Sequence, residues 1–413
     1  MENNYTLTKY GCYTTNVSMS IVAVLSPLLF LTFRQMYGIS YTLLGLLVVI
    51  NFSTQLIIDL IFTFFSRKFN IPKTVKYMPL ITFAGLMIYG IFPWVFPQMA
   101  YMGIALGTIV FSVSAGLNEV LASPVVAAIP SDNPEREMSK LHSSYAWGVV
   151  AVVIISTLFL KIFGTTNWQY LALLWSVVPL GAFVMFKKAQ FPEIANSEEK
   201  GKNSKIFSFG VFLCLACIFL GGAAECTMTQ WASGFIESAL EIPKLWGDIL
   251  GVAVFAVLLG SGRSLYAKYG KNVLNVMLWG MIGATVCYCI AGVSLNPLIG
   301  ICACVVTGVC VSMLWPGTII CVGERYPEAG VAVYAFMAAG GDLGASVAPQ
   351  LLGIISDKVS LSDFAVELSR VLNISPEQVG MRAGLLVSAL FPLMGMFVII
   401  WLKLHFSAKD KKI

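Results

Sequence analysis

Twelve long apolar segments constrain this chain more than any other feature of its sequence. Each has about the 20 residues that a helix needs to cross the hydrocarbon core of a bilayer. Short polar stretches separate the segments, which cover residues 11–33, 41–65, 77–96, 99–129, 139–162, 168–186, 207–236, 246–267, 272–293, 297–322, 328–355 and 383–404. We therefore predict an all-α membrane protein with twelve transmembrane helices.

The composition supports a core that is solvated by lipid and leaves little room for other classes of protein. Hydrophobic residues make up 58% of the chain and charged residues only 11%, whereas soluble proteins carry about 25% charged residues. The longest polar stretches, 187–205 and 356–382, are too short for a catalytic domain, so we expect no enzyme and no cofactor. The chain has no Gly-x4-Gly-Lys-Ser/Thr phosphate loop, which argues against direct use of ATP.

The distribution of positive charge predicts the orientation in the membrane. If the N-terminus lies inside, twenty Lys and Arg residues fall on the inner side and six on the outer side. Positive residues are retained on the cytoplasmic side of membrane proteins. We expect a multi-pass protein of the cell inner (cytoplasmic) membrane with both termini cytoplasmic, and the net charge of +5 then requires no nucleic acid.

The segments divide into two halves of six that resemble each other. Gly116-x7-Pro124 in the fourth segment matches Gly308-x7-Pro316 in the tenth. Two halves in the same orientation form a parallel repeat, a plan found in secondary transporters. We predict an N-terminal half, a cytoplasmic linker and a C-terminal half at residues 1–186, 187–206 and 207–413.

Away from the ends of the predicted segments lie four acidic residues: Asp59, Glu119, Glu225 and Asp342. A charged side chain at the bilayer centre costs about 2.5–3.5 kcal/mol on insertion scales, so such residues usually face a transport path. We predict that these four acids bind a coupling cation, H⁺ or Na⁺. The alternative is that they form hydrogen bonds between packed helices.

Polar and aromatic residues on the same segments are the candidates for substrate contact. Asn51 and Gln55 share one helix face with Asp59, because they are spaced by four residues. Aromatic faces stack on sugars and also bind organic cations, although a membrane Trp is often an interface anchor. The predicted substrate-binding residues are Asn51, Gln55, Asn118, His142, Tyr145, Trp147, Gln230, Trp231 and Trp315.

No Lys or Arg lies near the predicted middle of any segment. Arg263, in segment 8, lies near the cytoplasmic end of that segment. An acidic cavity suits a neutral or cationic substrate, because a buried anion needs fixed positive charge beside it. Arg263, Lys68 and Arg67 are the predicted residues of the cytoplasmic gate. The ten cysteines, including the pair Cys214 and Cys217, predict packing residues and no metal site.

Several short motifs resemble those of the major facilitator superfamily, and within it the fucose–proton symporter branch is most similar. They are Gly116-Leu-Asn-Glu119 with Ser123-Pro124, Leu141-His142 with Tyr145 and Gly148, Gly222 with Glu225 and Trp231, and Gly262-Arg263. The resemblance implies two six-helix repeats in which the third helix of each triplet faces lipid. It also implies that Glu119 acts in proton coupling or sugar binding and that Glu225 lines the cavity.

We therefore expect a monomeric secondary active transporter that moves a small neutral solute, a sugar, together with H⁺ or Na⁺. Its expected partners are that solute and the lipid bilayer. Two alternatives remain open at this point: a proton-coupled exporter of cationic or amphipathic compounds, and a membrane sensor that transports nothing.

In the outer stretch 356–382, Ser362–Arg370 has helical apolar spacing and predicts a short surface helix, interpreted as a solvated cap.

Overall fold

The structure, a computed structural model, describes residues 5–65, 68–131, 134–192, 208–326 and 330–410. Regular structure within these ranges is entirely helical. Contacts divide the chain into a first unit, Met1–Ile39 with Ile50–Glu198, and a second unit, Ser40–Val49 with Glu199–Ile413.

The first half of the chain forms six long helices, and each covers one predicted segment. Short 3-10 turns at Pro97–Met99 and Thr165–Asn167 precede the fourth and the sixth helix. The helices are α1 (Thr6–Tyr37), α2 (Tyr41–Phe65), α3 (Ile71–Val95), α4 (Ala100–Ala127), α5 (Pro134–Phe163) and α6 (Trp168–Lys188).

The helices of the second half are less continuous than those of the first half. Three of its predicted segments each contain a break between two helices. A π-helix at Ile249–Val254 separates α8 from α9, and single breaks separate α11 from α12 and α15 from α16. The helices are α7 (Phe209–Ala239), α8 (Lys244–Asp248), α9 (Phe255–Tyr269), α10 (Val273–Val293), α11 (Pro297–Val311), α12 (Leu314–Arg325), α13 (Gly330–Ser360), α14 (Asp363–Leu372), α15 (Pro376–Ser388) and α16 (Leu390–Asp410).

Eleven helical stretches among the described residues are long and apolar enough to cross a membrane. The remaining predicted segment, 328–355, is the eleventh in order, and its described residues lie in α13, a helix of 31 residues. The prediction of an all-α membrane protein is confirmed. The eleven stretches are Thr6–Tyr37, Tyr41–Phe62, Ile71–Val95, Pro97–Val126, Ser143–Phe163, Thr165–Lys188, Phe209–Ala239, Lys244–Tyr266, Val273–Val293, Pro297–Arg325 and Pro376–Ser407.

Polar caps set several helix boundaries. Asn70 accepts a hydrogen bond from the backbone N–H of Lys73 at 3.0 Å and begins α3. Ser375 and Gln378 form a reciprocal capping box at the start of α15. Such caps satisfy backbone donors that have no partner inside the helix. At the end of α1, Gly38 adopts a left-handed conformation with φ of 65°, which glycine reaches without steric cost.

Within each unit, glycines allow helices to approach closely. A Cβ atom on Gly344 of α13 would overlap the carbonyl oxygen of Phe219 in α7. In the first unit, a Cβ on Gly116 of α4 would lie 3.1 Å from the Cα of Gln55 in α2. Small residues at such contacts are typical of membrane helix packing, which depends on close van der Waals contact.

Candidate functional site

Two acidic side chains of the first unit lie side by side within membrane-spanning helices. Carboxylate oxygens of Asp59 in α2 and Glu119 in α4 lie within 4.8 Å of each other. The close approach of the two helices at Gly116 brings the acids together. Glu119 is exposed and Asp59 is partly buried, although Glu119 lies about 10 Å of helix rise from the end of its span at Val126. A proton or cation bound here relieves the repulsion between two ionised carboxylates.

One polar cluster follows the same face of α2, as the spacing predicted. The side-chain oxygen of Asn51 accepts hydrogen bonds from Gln55 at 3.0 Å and from Ser112 of α4 at 2.6 Å. Both predicted substrate-binding residues, Asn51 and Gln55, are buried. The two amides are therefore held in fixed orientations one or two turns before Asp59.

A second polar cluster joins three helices of the first unit. The Asn118 amide of α4 donates to the side-chain oxygen of Asn16 in α1 at 2.6 Å, and Asn16 donates to the backbone carbonyl of Leu141 in α5 at 2.7 Å. Asn118 is buried, and among the described residues its own side-chain oxygen has no hydrogen-bond partner. Sequence analysis selected Asn118 but not Asn16, whose only signal was an amide inside an apolar segment.

The other predicted residues of the first unit are scattered. Trp147 is 71% exposed, which favours the interpretation as an anchor at the membrane surface. Tyr145 is partly buried, and its carbonyl accepts a hydrogen bond from Ser20 at 2.8 Å. Lys68 lies 5.1 Å from the ring centroid of Phe65. Arg67 and the side chain of His142 lie outside the described part of the chain.

An ionic cluster joins the first turn of α5 to α1 outside the apolar part of α5. Glu137 accepts hydrogen bonds from Lys140 at 2.8 Å and from Tyr13 at 3.0 Å, and Lys9 lies 3.3 Å away. These partners stabilise the ionised carboxylate, with the hydrogen bond from Lys140 the largest cause. They lower the pKa of Glu137 from its ordinary value to about 2.

In the second unit, Glu225 of α7 forms a salt bridge with Arg263 of α9. The guanidinium Nη2 lies 3.1 Å from one carboxylate oxygen and 3.3 Å from the other. The Nε–H of Arg263 donates to the backbone carbonyl of Ser312 at 3.0 Å. The long Arg263 side chain thus extends away from its own backbone position and reaches Glu225, which lies near the middle of α7. In this conformation Arg263 neutralises Glu225.

The predicted tryptophans of the second unit are packed into it. Trp231 is 1% exposed and donates its indole N–H to the carbonyl of Pro349 at 3.0 Å. The ring of Trp315 lies over Gly222 and Gly341, where a Cβ on Gly222 would be 3.1 Å from the indole. These contacts show that both rings contribute to helix packing.

The remaining predicted residues of the second unit are also buried. Gln230 is 5% exposed and Asp342 is 4% exposed. Ser346, one turn beyond Asp342, donates to the Asp342 backbone carbonyl at 2.8 Å. The hydroxyl of Ser346 is therefore bonded to its own helix backbone.

Sequence analysis missed a carboxylate that caps the start of α2. Asp357 near the end of α13 accepts hydrogen bonds from the backbone N–H groups of Tyr41 at 3.2 Å and of Thr42 at 2.6 Å. The Tyr41 hydroxyl donates to Glu377 of α15 at 2.5 Å. A carboxylate at a helix N-terminus pairs with free donors and with the positive end of the helix dipole. These contacts explain why Ser40–Val49 belongs to the second unit.

A second acid missed from the sequence is Asp248, which is fully buried at the end of α8. It accepts a hydrogen bond from Ser233 of α7 and another from Lys244 at 3.1 Å. Gly247 and Gly251, on either side of the start of the π-helix, pack against the α7 backbone at Ser233. The four-residue spacing of Lys244 and Asp248 was the available signal, since it places opposite charges on one helix face.

Acidic and amide side chains inside membrane-spanning helices are typical of membrane transporters with many spans. Residues 12–349 match the model of the Major Facilitator Superfamily. Since the match covers more than half of the chain, the protein belongs to the Major Facilitator Superfamily. It is a membrane transporter and not an enzyme, and the predicted two-repeat fold is confirmed.

Solved structures of other transporters share this fold. A D-xylose–proton symporter matches with a TM-score of 0.73 and 13% identity over 94% of this chain and 97% of that chain. A bacterial homologue of the human lysosomal transporter Spinster, inward-facing and occupied, matches with a TM-score of 0.72 and 12% identity over 97% and 96%. The nucleoside transporter NupG, in a mutant form, has a TM-score of 0.70 and 11% identity over 96% and 98%. No curated protein matches the sequence.

Proposed function

We propose that this protein is a secondary active symporter that moves a small neutral solute, a sugar, together with H⁺. The observation that carries the proposal is the pair of carboxylates of Asp59 and Glu119, whose oxygens lie within 4.8 Å of each other inside membrane-spanning helices. One proton shared by such a pair removes a charge at the point where charge is most costly. Na⁺ is the other cation that the pair suits.

The coupling follows from the cost of burying charge. With the pair protonated and the solute bound, the site carries less charge. The transporter can then close around the site and open toward the other side of the membrane. With the pair empty and ionised, occlusion buries uncompensated charge, which costs several kcal/mol per ion after relaxation. Alternating access by two six-helix repeats then moves the solute and the proton together.

Among the other predicted acids, Glu225 has a role that differs from that of the pair. Glu225 is bonded to Arg263 at 3.1 Å, so a cation that binds to Glu225 must compete with a guanidinium. We assign this salt bridge to gating, in line with the predicted role of Arg263. Glu119 and Asp59 remain the first candidates for the coupling cation, with Asp342 after them.

A sugar is supported by the amides on the helix that carries Asp59. Asn51 and Gln55 are held by hydrogen bonds to each other and to Ser112, and amides recognise hydroxyl groups through both donors and acceptors. The motifs around Glu119 resemble the fucose–proton symporter branch, and a D-xylose–proton symporter has a similar fold. We place the protein in the cell inner membrane as a monomer with both termini cytoplasmic.

Proteoliposomes test the proposal directly. Vesicles containing the purified protein receive an inward proton gradient and a panel of radiolabelled sugars that includes L-fucose and D-xylose. We expect at least one sugar to accumulate above equilibrium, and a protonophore to abolish the accumulation. A Glu324→Gln control, which removes an exposed acid at the end of α12, should accumulate the same sugar normally. A gradient that drives no sugar in the panel, with protein that is folded and inserted, would refute the proposal.

One observation favours a second candidate, a proton-coupled exporter of cationic or amphipathic compounds. The Glu119 side chain is exposed, and an accessible carboxylate attracts an organic cation as readily as a proton. Ethidium extrusion by the same vesicles, with the proton gradient reversed, distinguishes the two functions. Extrusion without sugar uptake would replace the sugar symporter by the exporter.

A further inference from the structure

The short helix α14 (Asp363–Leu372) is built as a rigid element of its own. Ser362 caps its start by accepting the backbone N–H of Ala365 at 3.2 Å. At its end, Asn373 adopts a left-handed conformation with φ of 54° and closes the last turn on the carbonyl of Ser369. A helix of ten residues is marginal in isolation, so α14 depends on its surroundings for stability.

The surface of α14 has three sectors. Ala365 and Ser369, one turn apart, are buried against the second unit. A polar sector, all exposed, consists of Asp363, Glu367 and Arg370, which recur at the spacing of one helix face.

The third sector is apolar and is not covered by the second unit. Phe364 and Val371 are 62% and 79% exposed, and Leu361, in the link just before the helix, is 87% exposed. Phe364 and Val371 are seven residues apart and therefore lie on the same flank of the helix. A helix that only covered the protein would not need an exposed apolar flank, so this flank is available for a further partner.

The connections of α14 determine where that partner lies. Two residues join it to α13, and three join it to α15, where the membrane-spanning stretch Pro376–Ser407 begins. Segments of this length hold the end of α14 within about 15 Å of the end of a span. The apolar flank is thus held near the end of a membrane-spanning stretch, within reach of the bilayer surface.

We propose that α14 is an interfacial helix that rests on the bilayer, with Leu361, Phe364 and Val371 inserted at the boundary of headgroups and acyl chains. A helix with one polar and one apolar flank, lying in the plane of the membrane, is the known arrangement of such elements. The partner is therefore phospholipid, and the solvated-cap interpretation of this segment is replaced.

The anchoring of α14 bears on the contacts at the start of α2. Asp357 lies at the end of α13 and Glu377 at the start of α15, on the two sides of α14. These two carboxylates hold the backbone N–H groups of Tyr41 and Thr42 and the hydroxyl of Tyr41. A bilayer that holds α14 in place thereby restricts the movement of both carboxylates.

Photo-crosslinking in nanodiscs of phosphatidylethanolamine and phosphatidylglycerol tests the proposal. The photoreactive residue p-benzoyl-L-phenylalanine replaces one side chain at a time in the full-length purified protein. Phe364 and Val371 are the test positions and Glu367, on the polar sector, is the matched negative control. Phe397 of α16, which is 60% exposed within a membrane span, is the positive control.

We expect intact-mass spectra to show phospholipid adducts at positions 364, 371 and 397, and none above background at 367. The replacement at Phe364 is conservative and exposed, so folding should not change. An adduct with a second copy of the chain at 364 and 371 would make this flank a dimer surface and overturn the proposal. The proposal would also be overturned if positions 364 and 371 formed no phospholipid adduct while position 397 did.

Discussion

Removal of the positive charge at Arg263 should destabilise the protein, and removal of its partner's charge as well should restore part of the loss. Arg263→Met deletes the guanidinium but keeps an unbranched side chain. The variant leaves the Glu225 carboxyl group, 18% exposed, without its counter-charge. It also leaves the Ser312 carbonyl without its donor at 3.0 Å.

The magnitude follows from the distance and the exposure of the pair. Two unit charges 3.1 Å apart attract by about 5 kcal/mol at an effective dielectric constant of 20. The Arg263 side chain is 42% exposed, and water offsets most of this attraction, so a pair of this kind contributes about 1 kcal/mol. The lost hydrogen bond to a backbone carbonyl adds about 1 kcal/mol. We expect Arg263→Met to cost about 2 kcal/mol.

The double variant determines whether charge is the cause. Glu225→Gln in the Arg263→Met background removes the unpaired carboxylate, so the double variant should be more stable than Arg263→Met alone. Unfolding is followed by tryptophan fluorescence in detergent at pH 7, by heat and by titration with sodium dodecyl sulfate. Lys268→Met, on the same helix and exposed, is the control and should change stability by less than about 0.5 kcal/mol. A double variant that is less stable than Arg263→Met would refute the reasoning.

Three further outcomes follow from single contacts. Because the pKa of Glu137 is lowered to about 2, its ionised form stabilises the fold above about pH 4.5 and loses this effect as the pH falls toward 2. The melting temperatures of Glu137→Gln and wild type should therefore approach each other as the pH falls from about 4.5 toward 2. Gly344→Ala should lower the melting temperature in detergent, because its Cβ overlaps an α7 carbonyl, whereas Gly181→Ala, with nothing within 4 Å, should not. Trp231→Phe should cost about 1–3 kcal/mol in the same unfolding assay, because the buried carbonyl of Pro349 loses its donor.

The positions and order of the membrane helices could be predicted from the sequence, because hydrocarbon requires a long apolar run for each crossing. The interruptions in the second half could not be predicted. The π-helix at Ile249–Val254 forms where Gly247 and Gly251 pack against the backbone of α7. That contact joins residues far apart in sequence, and apolar periodicity carries no information about it.

The candidate site was predicted in part. Spacing along α2 placed Asn51, Gln55 and Asp59 on one face, and the first two are hydrogen-bonded neighbours in the structure. The proximity of Asp59 and Glu119 depends on the packing of α2 against α4 at Gly116, which one helix's pattern does not reveal.

Partners of charged residues were harder to predict than their positions. Arg263 contacts Glu225, 38 residues away, and the two positions share no periodicity. Asp357 lay outside every predicted segment, so its role as a cap for the start of α2 had no sequence signal. Residue types inside apolar segments thus indicate where polar groups lie, but only packing determines what each group binds.

The most direct measurement of the central claim is sugar-driven proton movement in proteoliposomes that carry no initial pH gradient. A sugar identified from the panel is added outside, and external pH is followed with a dye. The account predicts that wild type removes protons from the medium as the sugar enters. It also predicts that Glu119→Gln transports the sugar down its gradient without moving protons. Equal proton uptake per sugar in wild type, Glu119→Gln and Asp59→Asn would contradict the assignment of coupling to this carboxylate pair.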